Sequence, residues 1–267
     1  LQMMDDNIAL FEKAQNDDFY RDIDRALGCP LSVFLSQYPY LYSGTSKNGC
    51  VVAYFRAGQV NVDGMDCCTD METKLVRYLW YGLKYAFPAQ VTKQQQKQSN
   101  NNNTTTAGRC ECFFIVDLAG LSASTLNSRT MGVFQKLAEA TGSFPEILNK
   151  TVVLNAPGYF AFSWRIMKAF LHPRTAAKIE IYSDAKQGLQ RVQELVDSSE
   201  LLSDYGGTSS RGSFEQAARP PGVLRRATKC LTFAKAGSFS SAVTELSLPN
   251  PVQLKSSSEE MHVSVYT

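Results

Sequence analysis

Between Phe113 and Ile181 three short apolar runs alternate with two stretches of helical character, and this alternation limits the fold more than any other feature. The runs Phe113–Val116, Thr151–Leu154 and Lys178–Ile181 are rich in the β-branched and aromatic residues that suit a pleated, half-buried surface. Between the first two, Leu126, Met131, Phe134, Leu137 and Ala138 recur near the helical period and form one apolar stripe. Strand, helix, strand, helix, strand is the pattern of βαβ units, which need parallel strands and right-handed crossovers. The predicted fold class is α/β, with a mixed, mostly parallel sheet.

Sheets of this kind often hold nucleotides, and the two turns here argue against it. After the first strand comes Asp117-Leu118-Ala119-Gly120, with one glycine and neither G-x-G-x-x-G nor G-K-[ST]. After the second comes Asn155-Ala156-Pro157-Gly158, where Pro157 removes a backbone N–H that a phosphate cradle would need.

The second helical stretch, Tyr159 to Leu171, is apolar nearly all round. Its only charges, Arg165 and Lys168, sit three apart and share one narrow edge. A helix of this kind is either fully buried or in contact with lipid. It is also too short to cross a bilayer, which takes about 20 residues. From the residues alone two readings stand: a central core helix, or a mobile helix with a lipid pocket on one side and a membrane on the other.

Its surroundings resemble a known family. The elements are P-E-x-L-x-K from Pro145, V-x-L-N-A-P from Val152, and W-R-x-x-K-x-F-L-x-P-x-T-x-x-K-I from Trp164 to Ile179. Leu201 to Gly207 is similar to a closing L-P-x-x-Y-G-G, and Tyr38-Pro39 to Phe55 to an opening strand pair with Gly49 at its turn. Together they resemble the CRAL-TRIO lipid-binding domain, in its Sec-fourteen-like phosphatidylinositol/phosphatidylcholine transfer form, over residues 36–207.

The resemblance implies that the sheet floors a lipid pocket closed by a helical gate. Its lining would be Phe114, Val116, Val153 and Ile179 on the floor. Phe160, Phe162, Trp164, Met167 and Phe170 would line it from the gate. Pro157, Gly158 and Pro173 would be the hinges, since hinges are a few residues at element ends. A phosphoinositide headgroup needs a cation for its phosphate and acceptors for its hydroxyls, and the family's positions for these fall on Glu146, Thr175 and Lys178. The family's phosphatidylcholine signature, a Ser-x-Thr pair before the strand's Asp, is replaced here by Cys112 and Phe114. A sterol, prenyl or tocopherol-like molecule then becomes an alternative ligand. No residue of the N-terminal segment aligns with the arginine that reaches the headgroup in relatives.

Composition narrows the rest. Net charge is +2 over 267 residues, so no field for nucleic acid exists. There is no run of 18 apolar residues and no visible signal peptide, and an opening on Leu1 rather than Met reads as a piece of a longer chain. Seven cysteines without a disulfide framework suit a reducing, cytosolic compartment. With no C-x-x-C pair, and His172 and His262 the only histidines, neither a zinc site nor a catalytic set can be assembled. No metal, no cofactor beyond a bound lipid, and no enzyme activity are expected.

The expected organisation is a helical segment over 1–35, closed by Gly28 and Pro30, then the lipid-binding domain over 36–207. Strands are expected at Val51–Phe55 and Gln59–Val62 as a hairpin. A helix from Thr69 to Phe87, capped by Thr69 and ended by Pro88, should follow. The glutamine-, asparagine- and threonine-rich stretch 90–106 reads as a disordered insertion. An amphipathic helix is expected over Asp184–Val196. Residues 208–230 read as a basic linker carrying Arg219, Arg225, Arg226 and Lys229, each able to touch anionic lipid. Residues 231–267 form a β-rich tail that resembles the start of a GOLD-type sandwich.

The function expected is lipid binding and transfer, most of all of phosphatidylinositol, by a cytoplasmic, peripheral membrane protein. Its partners would be membrane surfaces, phospholipids and further domains of a longer chain, and not nucleic acid. The alternatives are a carrier of a non-phospholipid ligand and a non-transferring module that docks a larger protein to membranes.

Overall fold

The computed structural model describes residues 21–67, 70–99, 109–142 and 147–218. Two compact units divide the chain, Leu1–Thr232 and Phe233–Thr267, and the second lies wholly outside the described residues.

Among the described residues helices α1 (Ile23–Leu27) and α2 (Leu31–Gln37) come first, with Gly28 ending α1 in a left-handed conformation (φ 67°). Strands β1 (Tyr40–Thr45) and β2 (Val51–Phe55) follow, then helices α3 (Met71–Tyr81) and α4 (Phe87–Ser99). Strand β3 (Cys112–Asp117), helix α5 (Ser128–Gly142) and strand β4 (Leu148–Leu154) make the first βαβ unit. Helices α6 (Phe160–Ala169) and α7 (Pro173–Ala177) lead to β5 (Ile179–Ile181), and α8 (Ala185–Leu195) follows. The five strands lie in the order β1-β2-β3-β4-β5. Only β1 and β2 are antiparallel and the other three pairings are parallel, so the mixed α/β expectation holds.

Alternation along the strands sorts side chains onto two faces. Val52, Tyr54, Phe113, Ile115, Val152 and Leu154 point to one face, where Val192 of α8, Val196, Leu201 and Leu202 seal them completely. The other face carries Val51, Ala53, Cys112, Phe114, Val116, Val153, Ile179 and Ile181, split between two separate clusters. Phe87 and Val91 of α4 cover the β1–β2 side, and Phe160 and Met167 of α6 cover the β4–β5 side.

Four local expectations are corrected. Gln59–Val62 is not a strand: Ala57–Gln59 is a 3-10 turn and Val62–Met65 a short helix, and the hairpin partner of β2 is β1. Gly58 packs so tightly that a Cβ there would sit 2.2 Å from the Ala119 carbonyl oxygen, which pins this segment as a turn.

Pro88 does not end its helix. Asp70 caps α3 by accepting from the Thr73 N–H at 2.7 Å, and the helix then widens into a π-turn over Gly82–Ala86. There the Phe87 N–H reaches back five residues to Gly82 O. A proline normally loses one helical hydrogen bond and clashes with the carbonyl four residues earlier. The wide turn offsets the register just where that conflict would arise.

The stretch 90–99 is accordingly helical rather than a disordered insertion, with Val91 and Gln94 buried; 100–106 lies outside the described residues. Residues 208–218, expected as the start of a linker, pack onto the sealed face. Phe214 is buried there, and the Thr208 N–H donates to Ser198 O at 2.7 Å. Thr69, residues 1–20, Arg219 and all positions beyond it lie outside the described residues.

Candidate functional site: an apolar sheet face under a helix

The two faces of the sheet differ in closure. Phe113 and Ile115 are 1% and 0% exposed, whereas Phe114 and Val116, alternating with them on the same strand, are only half-buried. Ile179 and Ile181 on β5 are half-buried as well. The open face therefore presents an aliphatic and aromatic floor that its covering helices do not fully close.

Over the β4–β5 side of this floor lies α6. Its residues Phe160, Ser163 and Met167 are buried at helical spacing, and Trp164 packs beside them. They meet Val116, Val153, Ile179 and Ile181, so six of the nine expected lining residues pack in one cluster, Val116, Val153, Phe160, Trp164, Met167 and Ile179, and Phe114 lies on the same face in the neighbouring cluster. The other two stand apart. Phe162 is 63% exposed and Phe170 37%, and with Tyr159 and Ile166 they form an outward apolar stripe. A helix cannot turn all its apolar residues to one side when they occupy most of its circumference. The cations Arg165 and Lys168 flank this stripe, with the Arg165 guanidinium 5.6 Å from the Phe162 ring.

The flanks of α6 carry the expected hinge residues. Pro157 and Gly158 precede it in an irregular turn, and a Cβ at Gly158 would meet nothing within 4 Å. Pro173 opens α7, where His172 Nδ1 accepts from the Arg174 N–H at 3.2 Å. The Tyr159 hydroxyl donates to the Leu121 carbonyl and ties the first turn of α6 to the loop beyond β3.

Of the expected headgroup residues, Thr175 and Lys178 sit together at the junction of α7 and β5. Both are half-buried, and the Lys178 N–H donates to Thr175 O at 3.1 Å. The Lys178 ammonium donates to the Leu148 carbonyl at the start of β4. Glu146 lies two residues before Leu148 and outside the described residues.

A tyrosine wall beside the floor was missed in the sequence. Tyr38 packs on Phe55 with ring centroids 4.7 Å apart and on Tyr78 at 5.7 Å. Tyr40 lies 6.0 Å from Tyr78 and 6.4 Å from Phe114. Tyr40 and Tyr42 meet edge to face with ring centroids 5.2 Å apart. Burial pushes the Tyr40 and Tyr78 hydroxyls well above the usual phenol range, although both rings keep part of their surface open. They are neutral hydroxyls. The sequence did carry a signal, the period-two repeat Tyr38-x-Tyr40-x-Tyr42.

Among the described residues no group of three or more His, Cys, Asp or Glu side chains could hold a metal, and no helix is long and apolar enough to cross a membrane.

The architecture defines a class, an α/β module with one sealed face and one incompletely closed apolar face under a helix. A family model described as CRAL/TRIO domain matches residues 35–207, and the chain belongs to that family. It is similar to a phosphatidylinositol/phosphatidylcholine transfer protein of Arabidopsis thaliana, SFH4, with 26% identity over 226 residues; these are 81% of this chain and 36% of the relative. It is also similar to the SEC14 cytosolic factor of Candida glabrata, with 27% identity over 172 residues, 64% of this chain and 54% of the relative. The chain thus spans about a third to a half of these curated relatives. Among solved structures it is similar to Sfh5, at 16% identity and a TM-score of 0.46, covering 68% of this chain and 58% of that one.

Proposed function

We propose that this chain encloses a phospholipid, phosphatidylinositol above all, and exchanges or presents it at a cytoplasmic membrane surface. The reading concerns binding and transfer rather than catalysis. The observation that carries it is the two-sided apolar character of α6. Phe160 and Met167 face the floor, while Tyr159, Phe162, Ile166 and Phe170 face outward. A core helix has no use for the outward stripe. A gate needs both, one surface for acyl chains and one for the bilayer.

The energetics set the requirement. Two acyl chains hold about 30 methylenes, at about 0.8 kcal/mol each on leaving water, so an unprotected crossing costs on the order of 20 kcal/mol. A carrier must enclose the chains and open only at a membrane. Pro157, Gly158 and Pro173 are the proposed hinges. Lys178, Thr175 and Glu146 are the proposed headgroup contacts, with the Lys178 ammonium exchanging its carbonyl partner for a phosphate.

A second reading, a sterol, prenyl or tocopherol-like ligand beside or instead of phosphatidylinositol, is favoured by one feature of the floor. Cys112 is fully buried and Phe114 half-buried where the family's hydroxyl pair would stand, so the floor there offers an aromatic ring and no hydroxyl.

Mass spectrometry of the organic extract of the purified protein tests both readings, with wild type beside Lys178→Ala. Phosphatidylinositol in the wild type and its loss in the variant is the expected result. A neutral lipid held equally by both would replace the first reading with the second. An empty extract from both would leave only a docking module.

A further inference from the structure

At the sheet edge opposite β5 lies a half-open cavity of about 360 Å³. Four strand spacings of about 4.8 Å separate the two edges, roughly 19 Å. Its walls come from three places. The β1–β2 edge supplies Ser43, Gly44, Thr45 and Val51, α4 supplies Gln90, Lys93, Gln94 and Gln96, and the turns beyond α8 supply Glu200 and Arg211. The glutamine-rich run, which has no part in the lipid-binding reading, is thus the polar wall of a cavity: Gln90, Lys93 and Gln94 fall at i, i+3 and i+4 on α4.

The wall is held in place. Gln94 is buried, and its amide donates to Thr45 Oγ1 at 3.0 Å and to Gly49 O at 3.1 Å, which leaves its Oε1 without a partner. Arg211 donates to Ser43 Oγ at 3.2 Å. Glu200 is pressed against β1 so closely that a Cβ on Gly44 would lie 2.1 Å from its carbonyl oxygen. The charges, by contrast, are unspent. Among the described residues neither Lys93, Arg211 nor Glu200 has an ion-pair partner, although all three line one small cavity.

We infer that this cavity is a ligand site separate from the face under α6, and that it takes a small phosphorylated polyol. Two cations suit a phosphate, for which charge-assisted hydrogen bonds are the strong ones. The Glu200 carboxylate and the amides of Gln90 and Gln96 offer acceptors and donors for a ring of hydroxyls, while Gln94 braces the wall. A bare anion would leave Glu200 repelling it, and an uncharged sugar would leave both cations unused. The volume falls within the range of small-molecule pockets, roughly 300–1,000 Å³. The same chemistry is offered by a soluble polyol phosphate and by a phosphorylated inositol headgroup standing out of a membrane.

Titration calorimetry with soluble inositol trisphosphate, and flotation with phosphatidylcholine vesicles carrying phosphatidylinositol bisphosphate, test the site and its source. The proteins are wild type, Lys93→Ala, Arg211→Ala and Lys178→Ala. Lys93 is exposed and has no ion pair among the described residues, so its variant keeps the fold if Arg211→Ala does not. Loss of either cation should weaken binding by about tenfold or more, whereas Lys178→Ala reads the share that the proposed headgroup contact under α6 carries. Arg211-dependent binding of the soluble probe assigns a free ligand, and Arg211-dependent binding of vesicles alone assigns a lipid headgroup. The inference is overturned if neither probe binds, if both cavity variants bind like wild type, or if only Lys178→Ala loses binding. Inorganic phosphate binding as tightly as the trisphosphate would overturn the polyol.

Discussion

Asn155 donates its side-chain amide to Asp117 Oδ1 at 2.7 Å from a left-handed backbone, φ 56°, the one positive φ among the described residues other than glycine. Asp117 closes β3 and its Oδ1 also accepts from the Ala119 N–H at 2.9 Å; Asn155 closes β4 two residues before Pro157. The pair thus joins the ends of two parallel strands where the chain turns toward α6. Asparagine tolerates this conformation better than other residues with a side chain.

Asn155→Ala should therefore lose both a hydrogen bond to a carboxylate and a tolerable backbone, about 2–4 kcal/mol together. Asn155→Gly keeps the backbone and should lose about half of that. Urea unfolding gives the comparison. Equal midpoints for the two variants would mean that the left-handed turn contributes nothing.

A second prediction concerns acid. Glu180 accepts from Arg191 Nε at 2.8 Å, from Lys150 at 2.6 Å and from the Tyr182 hydroxyl at 3.1 Å. The Arg191 hydrogen bond, with those from Lys150 and Tyr182, pulls its carboxyl from 4.5 down to about 2, against the opposing effect of burial. A depressed carboxylate stabilises the fold above its unfolded value and loses that contribution as pH falls toward the folded value. The window is therefore about pH 4.5 down to about 2. Solvent reaches this cluster and screens it, so the contribution is about 1–2 kcal/mol. Glu180→Gln should be less stable than wild type at neutral pH, and the gap should narrow from pH 5 to 3. A gap constant over that range would remove the ion cluster as its cause.

Much of this arrangement was legible in the sequence because periodicity reports burial directly. The β-branched runs before Asp117 and Asn155 became β3 and β4, and the all-round apolar helix became α6. Legibility failed where a distant contact overrides local composition. Pro88 and the glutamines after it read as a helix end and a disordered tract, yet the π-turn absorbs the proline and the sheet buries Val91. Phe214 is the one large apolar residue in a polar stretch, and its place over the sealed face, with hydrogen bonds such as Thr208 N–H to Ser198 O, keeps 208–218 folded back. The tyrosine wall escaped because Tyr38 and Tyr40 meet Tyr78 and Phe114 from far along the chain. On α6 the apolar content was evident, but its division between two faces was not. Only the packing of Phe160 and Met167 onto the floor assigns Phe162 to the outside.

That division makes neighbouring phenylalanines behave oppositely. Phe160 is 6% exposed and packed between the floor and α5; Phe162, two residues on, is 63% exposed. Truncating a buried phenylalanine leaves a cavity and costs about 3–5 kcal/mol, so Phe160→Ala should lower the melting temperature markedly. Phe162→Ala should change stability by no more than about 0.5 kcal/mol, as exposed substitutions do. At a bilayer the order should reverse. Inserting one phenylalanine contributes about 1.5–3 kcal/mol, so its loss should weaken sedimentation with phosphatidylcholine–phosphatidylserine vesicles by about 10- to 100-fold. Phe162→Asp should weaken it further, because its carboxylate would meet anionic lipid beside Arg165 and Lys168. If Phe162→Ala sediments with vesicles as the wild type does, the outward stripe does not touch the membrane, and α6 covers the floor without acting as a gate at the bilayer.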